Sequence, residues 1–114
     1  MSDAGSRPDP VFVLRPGGER LAYRYLPGGS PTVVFLSGYA SDMSGNKATY
    51  LQERCALWGH AYLCLDYRGH GLSDGRFEDY TIGDWCDDAR RVIEQVTRGS
   101  LVLVGSSMGG WMAM

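Results

Sequence analysis

The sequence has no apolar run near the ~20 residues that a membrane span needs. It also lacks an excess of basic charge and a paired-cysteine motif. Eleven Lys and Arg stand against 13 Asp and Glu, for a net charge of −2. That balance gives no electrostatic case for nucleic acid or an anionic membrane as partner. Cysteine is scarce: Cys55, Cys64 and Cys86, with no C-x-x-C pair. An odd count without metal-ligand spacing reads as reduced thiols, not as a disulfide framework or a metal site. Cys64 lies in an apolar run and reads as packing. The first residues, MSDAGSRPDP, hold neither a basic segment leading into an apolar core nor an Arg-rich, acid-poor stretch. No leader is therefore expected, and the location expected from these absences is cytoplasmic. Repeats and low-complexity stretches are missing as well.

What is present reads as one small α/β domain. The chain has 114 residues, 44% of them apolar and 21% charged, ordinary proportions for a globular protein. Val11–Leu14 and the alternating run Leu21–Leu26 flank the breaker Arg15-Pro16-Gly17-Gly18, which predicts an antiparallel hairpin. Thr32–Leu36, Ala61–Tyr67 and Ser100–Val104 are short continuous apolar runs, the pattern of strands buried on both faces. Between the first two, Ala48, Leu51, Cys55 and Trp58 share one face of a helix that Gly59 stops, with Gln52 facing elsewhere. Before the third, Trp85, Ala89, Val92, Ile93 and Val96 form the stripe of a second helix. Asp84 is its expected cap, and Asp87, Asp88, Arg90, Arg91 and Glu94 are placed mostly on its solvated side. Residues 68–83 are a glycine-rich loop. A hairpin followed by alternating strands and helices predicts a three-layer α/β fold with right-handed crossovers and a parallel sheet. Ligands in such sheets sit at the carboxyl ends of the strands. Ser37-Gly38-Tyr39, Arg68-Gly69-His70 and Ser107 all fall there.

The stretch LVGSSMGGWM, residues 103–112, carries the sharpest chemical signal. A buried strand runs into Gly105-Ser106-Ser107-Met108-Gly109, and a helix is predicted to follow. G-x-S-x-G between a strand and a helix is a nucleophile elbow. The turn lifts the central Ser107 hydroxyl above the sheet. Gly105 and Gly109, two residues to either side, let strand and helix pack closely around it. The helix start brings N–H groups and a positive dipole end to the site. A phosphate-binding loop would need Lys then Ser or Thr after the second Gly, and here Gly110 and Trp111 follow. Gly69-x-Gly71 is no dinucleotide fingerprint, since Asp74 stands at the third position and no helix opens there.

Three motifs in this order resemble the N-terminal half of an α/β-hydrolase. They are Phe35-Leu36-Ser37-Gly38-Tyr39, Asp66-Tyr67-Arg68-Gly69-His70-Gly71-Leu72-Ser73, and Gly105-Ser106-Ser107-Met108-Gly109-Gly110-Trp111. The Leu-Ser-Gly-Tyr strand end, Lys47-Ala48 and the elbow resemble the branch of mitochondrial acyl-glucuronide esterases and palmitoyl-protein thioesterases with their bacterial carboxylesterase relatives. The resemblance implies a serine hydrolase of carboxylic esters or thioesters, working through an acyl-enzyme on Ser107. It implies backbone N–H donors from Tyr39 and Met108 for the oxyanion, a small-molecule ester or thioester as partner, and no cofactor or metal. Many family members carry His-Gly where this chain has Ser37-Gly38. The donor is a backbone group, so Tyr39 can still supply it.

In this family the triad Asp and His follow the Ser. Both would lie after residue 114, so the chain reads as an inactive fragment. Residues 1–10 form an expected flexible tail, and 11–114 the N-terminal portion of a single domain, truncated after the elbow. His70 is the local candidate for a substitute base, set against the ordinary reading of a loop histidine. His60 opens a strand on the opposite rim and reads as structural. Asp66 and Asp74 read as holding the Arg68 loop. Tyr39, Met43, Trp111 and Met112 are candidates for an acyl pocket, with core packing as the ordinary role of each. A second class stays open, because the same scaffold serves non-catalytic ligand-binding or interaction proteins.

Overall fold

A computed structural model describes residues 8–38 and 40–106. The chain order is β1 (Val11–Leu14), β2 (Arg20–Leu26), β3 (Gly29–Leu36), α1 (Asn46–Trp58), β4 (His60–Leu65), α2 (Ile82–Val96) and β5 (Leu101–Gly105). A single 3₁₀ turn, Phe77–Asp79, interrupts the long loop before α2. The strands form one sheet in the order β1-β2-β4-β3-β5. β1 and β2 make the expected hairpin, with Val13 opposite Leu21. β2 runs antiparallel to β4, while β4 and β5 flank β3 in parallel. This is the arrangement that the resemblance implies, an antiparallel hairpin followed by parallel strands joined through helices.

Strand periodicity explains why both faces are covered. Successive side chains point to opposite sides. Leu21, Val34, Leu36, Leu63 and Leu65 fall on one side and pack with Trp85, Ala89 and Val92 of α2. Ala22, Phe35, Tyr62 and Cys64 fall on the other and pack with Ala48 and Cys55 of α1. A strand buried on both sides has no polar position to spare, hence the unbroken apolar runs. Burial pushes the Cys64 thiol up to about 12, as expected of a packing cysteine.

Several sequence expectations need correction. The buried line of α1 is Ala48, Gln52 and Cys55. Trp58 is 60% exposed and lies beside the Arg54 guanidinium, 5.0 Å from its ring centre. The stripe follows positions i, i+4 and i+7, which carries Trp58 off the sheet and Gln52 onto it. The cap of α2 is Thr81, not Asp84. The Thr81 hydroxyl accepts from the Asp84 N–H while Asp84 Oδ2 accepts from the Thr81 N–H at 2.9 Å, a reciprocal pair in which Asp84 is the third helical residue. Asp88 is completely buried instead of solvated. β4 stops at Leu65, two residues before the expected end, because Asp66 and Tyr67 turn their side chains to the loop network described below.

None of the described helices is long and apolar enough to cross a membrane. Among the described residues β5 pairs only with β3, and its Leu101, Val102 and Leu103 are 38–46% exposed.

Candidate active site

The carboxyl ends of β3, β4 and β5 share one rim. β5 is anchored there by its last pairing, Leu36 with Gly105, and by the Ser106 N–H donating to the Leu36 carbonyl at 3.2 Å. Next to this junction lies a cavity of about 260 Å³, lined among others by Ser37, Gly38, Ser41, Asp42, Lys47 and Ser106. Lys47, near the start of α1, donates from Nζ to Ser106 Oγ at 3.1 Å. Ser37 is 1% exposed, and among the described residues its hydroxyl has no hydrogen-bond partner. A more open hollow beside it, with Tyr50, Leu51 and Val104 in its wall, shares Lys47 and Ser106. Gly105 is the last residue of β5. Ser107, Met108, Gly109, Trp111, Met112 and Tyr39 lie outside the described residues. Met43 is in the core beside Phe35, Tyr62 and Cys64, the ordinary role.

The loop after β4 is tied to the loop after β3 by three hydrogen bonds. Asp66 Oδ1 accepts from the Met43 N–H at 2.8 Å, the Tyr67 hydroxyl donates to the Ser37 carbonyl at 2.9 Å, and His70 Nε2 accepts from the Ala40 N–H at 3.2 Å. Asp66 Oδ2 takes a further N–H, from Leu72, at 2.9 Å. Burial pushes the Asp66 carboxyl up, against the two backbone donors that favour its ionised form. The glycines of Arg68-Gly69-His70-Gly71 follow from this crowding. Gly69 and Gly71 both have positive φ. A Cβ on Gly71 would collide with the Asp66 carboxylate, and one on Gly69 would fall 2.6 Å from the Phe77 backbone.

Arg68 and Asp88 support that loop from below. Asp88 Oδ1 accepts from Arg68 Nε, and Oδ2 from the Arg68 backbone N–H, both at 2.9 Å. Burial pushes the Asp88 carboxyl up, and the Arg68 donors with Arg15 pull it back. Trp85 Nε1 donates to the Arg68 carbonyl at 2.9 Å, and His70 Nδ1 lies 3.2 Å from the same oxygen. Sequence reading missed Asp88, yet the signal was there. Residues 85, 88 and 92 are i, i+3 and i+7, so Asp88 stands on the apolar stripe, where a carboxylate needs a cation. Asp66 holds the Arg68 loop as expected. Asp74 holds it too, its carbonyl accepting from the Gly69 N–H at 3.0 Å, and it joins the loop to β2, its Oδ2 accepting from the Arg20 N–H at 2.9 Å. His70 is buried with both ring nitrogens engaged, so neither is left to take a serine proton. His60 opens β4 at the far rim.

A family model described as the alpha/beta hydrolase fold matches residues 31–114. The chain belongs to the α/β-hydrolase family. It is 46% identical over 101 residues to the bovine mitochondrial palmitoyl-protein thioesterase ABHD10, covering 89% of this chain and 33% of that protein. The human protein of the same name is 44% identical over 103 residues, covering 90% and 34%. The chain thus spans about a third of the length of these curated relatives. The solved structure of mouse alpha/beta hydrolase domain-containing protein 10 matches with a TM-score of 0.89 at 40% identity, over 92% of this chain and 42% of that one. A hydrolase structure from Agrobacterium vitis matches with a TM-score of 0.83 at 35% identity, over 95% and 42%. The expected cytoplasmic location is corrected by these relatives, which are named as mitochondrial.

Proposed function

We propose that this α/β-hydrolase is a serine hydrolase of carboxylic esters or thioesters, with Ser107 as nucleophile and the backbone N–H groups of Tyr39 and Met108 as oxyanion donors. One observation carries the reading. Gly38 and Ser106, the residues immediately before Tyr39 and Ser107, line the same cavity at the carboxyl rim of the sheet. The names of the bovine and human relatives favour a fatty-acyl thioester among the possible substrates, and a mitochondrial setting.

The chemistry follows from the nucleophile. A serine hydroxyl keeps its proton at neutral pH, so a histidine must accept that proton as Ser107 attacks the acyl carbon, and an acid must orient the histidine. We assign both to sequence beyond residue 114. The alcohol or thiol leaves with the proton returned by the histidine, and water then releases the acid from Ser107. Losing the base in a comparable triad costs on the order of 10⁶ in turnover. The 114 residues alone are therefore inactive in this proposal.

The test is labelling of the full-length protein with a fluorophosphonate, which reacts with activated serines. Labelling that disappears in Ser107→Ala is the expected result. A folded full-length protein that resists the probe and hydrolyses neither nitrophenyl esters nor acyl thioesters would instead be a ligand-binding member of the fold.

A further inference from the structure

We infer that His70 is a positioning residue for the oxyanion donor, acting through a single accepted hydrogen bond on the loop that carries Tyr39. The inference rests on the proposed role of the Tyr39 N–H.

The ring's partners settle which nitrogen carries the proton. Nδ1 lies 3.2 Å from the Arg68 carbonyl, which can only accept. Nδ1 must therefore be protonated, leaving Nε2 bare to accept the Ala40 N–H at 3.2 Å. The ring cannot turn away. Edge contacts with Trp85, Phe77 and Tyr67 at 4.9, 5.1 and 5.4 Å wall it in, and it is 4% exposed. Its acceptor meets the backbone where help is needed, because Ala40 has φ +58°, a left-handed conformation that a residue with a side chain rarely adopts.

Two further bonds continue the same device. Tyr67 holds the Ser37 carbonyl and Asp66 holds the Met43 N–H. The anchors fall at 37, 40 and 43, and Tyr39 lies in sequence between the first two. An oxyanion donor works only when it is already aimed at the place where charge develops. His70 thus contributes to turnover without touching the substrate.

The experiment uses the full-length protein, with nitrophenyl acetate as substrate and deuterium exchange over residues 38–43. His70→Phe keeps a ring and removes the acceptor. His70→Gln places Oε1 near the position of Nε2. The expected result for His70→Phe is faster exchange in the segment and a kcat lower by about tenfold to a hundredfold, with KM changed far less. His70→Gln recovers most of both. Wild-type kcat and exchange in His70→Phe, or equal loss of kcat in the two variants, overturns the inference and leaves the hydrolase reading standing. Absence of Ser107-dependent labelling in the wild type overturns both. A measurement on the wild type alone covers the case in which variants fail to fold. Ring ¹⁵N NMR is expected to show Nδ1 protonated and Nε2 bare, and the opposite tautomer or a charged ring would refute the assignment.

Discussion

At the exits of β3 and β4, polar side chains are buried and answered at short range. Asp66, Tyr67, Arg68, His70, Asp88 and Trp85 hold one another or the backbone of the two loops that leave β3 and β4. Along β5, by contrast, three consecutive apolar residues stand exposed and pair on one side only among the described residues. The first region completes itself. Each of these six side chains finds its partner inside the described residues, 17 to 30 positions away along the chain. The second region is non-directional apolar surface, which any adjoining apolar surface can cover. The contrast separates what this segment specifies internally from what it leaves to its surroundings.

The strongest way to break the self-completing region is Asp88→Ala. It strands the Arg68 guanidinium with its backbone N–H in a buried site. The expected cost is about 3–5 kcal/mol of stability, read from chemical denaturation of the full-length protein. A loss under 1 kcal/mol would mean that Asp84 and the Tyr80 ring suffice to hold Arg68.

Asp66→Asn is a milder break. One of two backbone donors, Met43 or Leu72, then faces an amide NH₂. The expected loss is about 1–3 kcal/mol at pH 7. Its pH dependence sharpens the comparison. Burial raises the folded-state Asp66 carboxyl above its ordinary 3.8, so the folded protein binds this proton more tightly than the unfolded chain. Its contribution to stability is therefore greatest below 3.8 and declines as pH rises through the folded value. Asparagine does not titrate. The gap between wild type and Asp66→Asn should widen as pH falls from 7 toward 4, and a gap that narrows contradicts the buried-carboxyl account.

The smallest effect is expected on the other side of the comparison. Val102→Lys puts a charge on the exposed strand. In the 114-residue chain, where Val102 is 46% exposed, it should change unfolding free energy by no more than about 0.5 kcal/mol. In the 114-residue chain expressed alone it should suppress self-association, because an uncharged apolar edge is a template for strand pairing. Sedimentation velocity of the two chains decides this. Equal association would place the sticky surface elsewhere, with α1's exposed Tyr50, Leu57 and Trp58 the next suspects.

The sheet was legible because two-sided burial leaves a plain trace in β3 and β4, β5 carries the same unbroken apolar run although Leu101, Val102 and Leu103 are exposed among the described residues, and the crossover helices have one apolar stripe each. Asp88 was not, since a charged residue on a helix is solvated far more often than buried, and only its partner in a distant loop reverses that. The two engaged nitrogens of His70 were hidden for the same reason. Their partners, Ala40 and the Arg68 carbonyl, are backbone groups without any residue-type signature. Trp58 was misplaced because the buried line of α1 runs through the polar Gln52, so the apolar residues alone point to a face rotated from the one that meets the sheet.

The strand order has a consequence in time. β3 lies between β4 and β5, and both of these follow it in the chain. Val34 pairs with Leu63 on one side and with Leu103 on the other. On a ribosome adding roughly 5–20 residues per second, β3 emerges on the order of several seconds before its second neighbour exists. Its apolar residues pass that interval with one edge open. Of the described strands that are paired on both sides, β3 thus waits longest for its second neighbour, and a factor that guards this protein during synthesis would act first on its open edge.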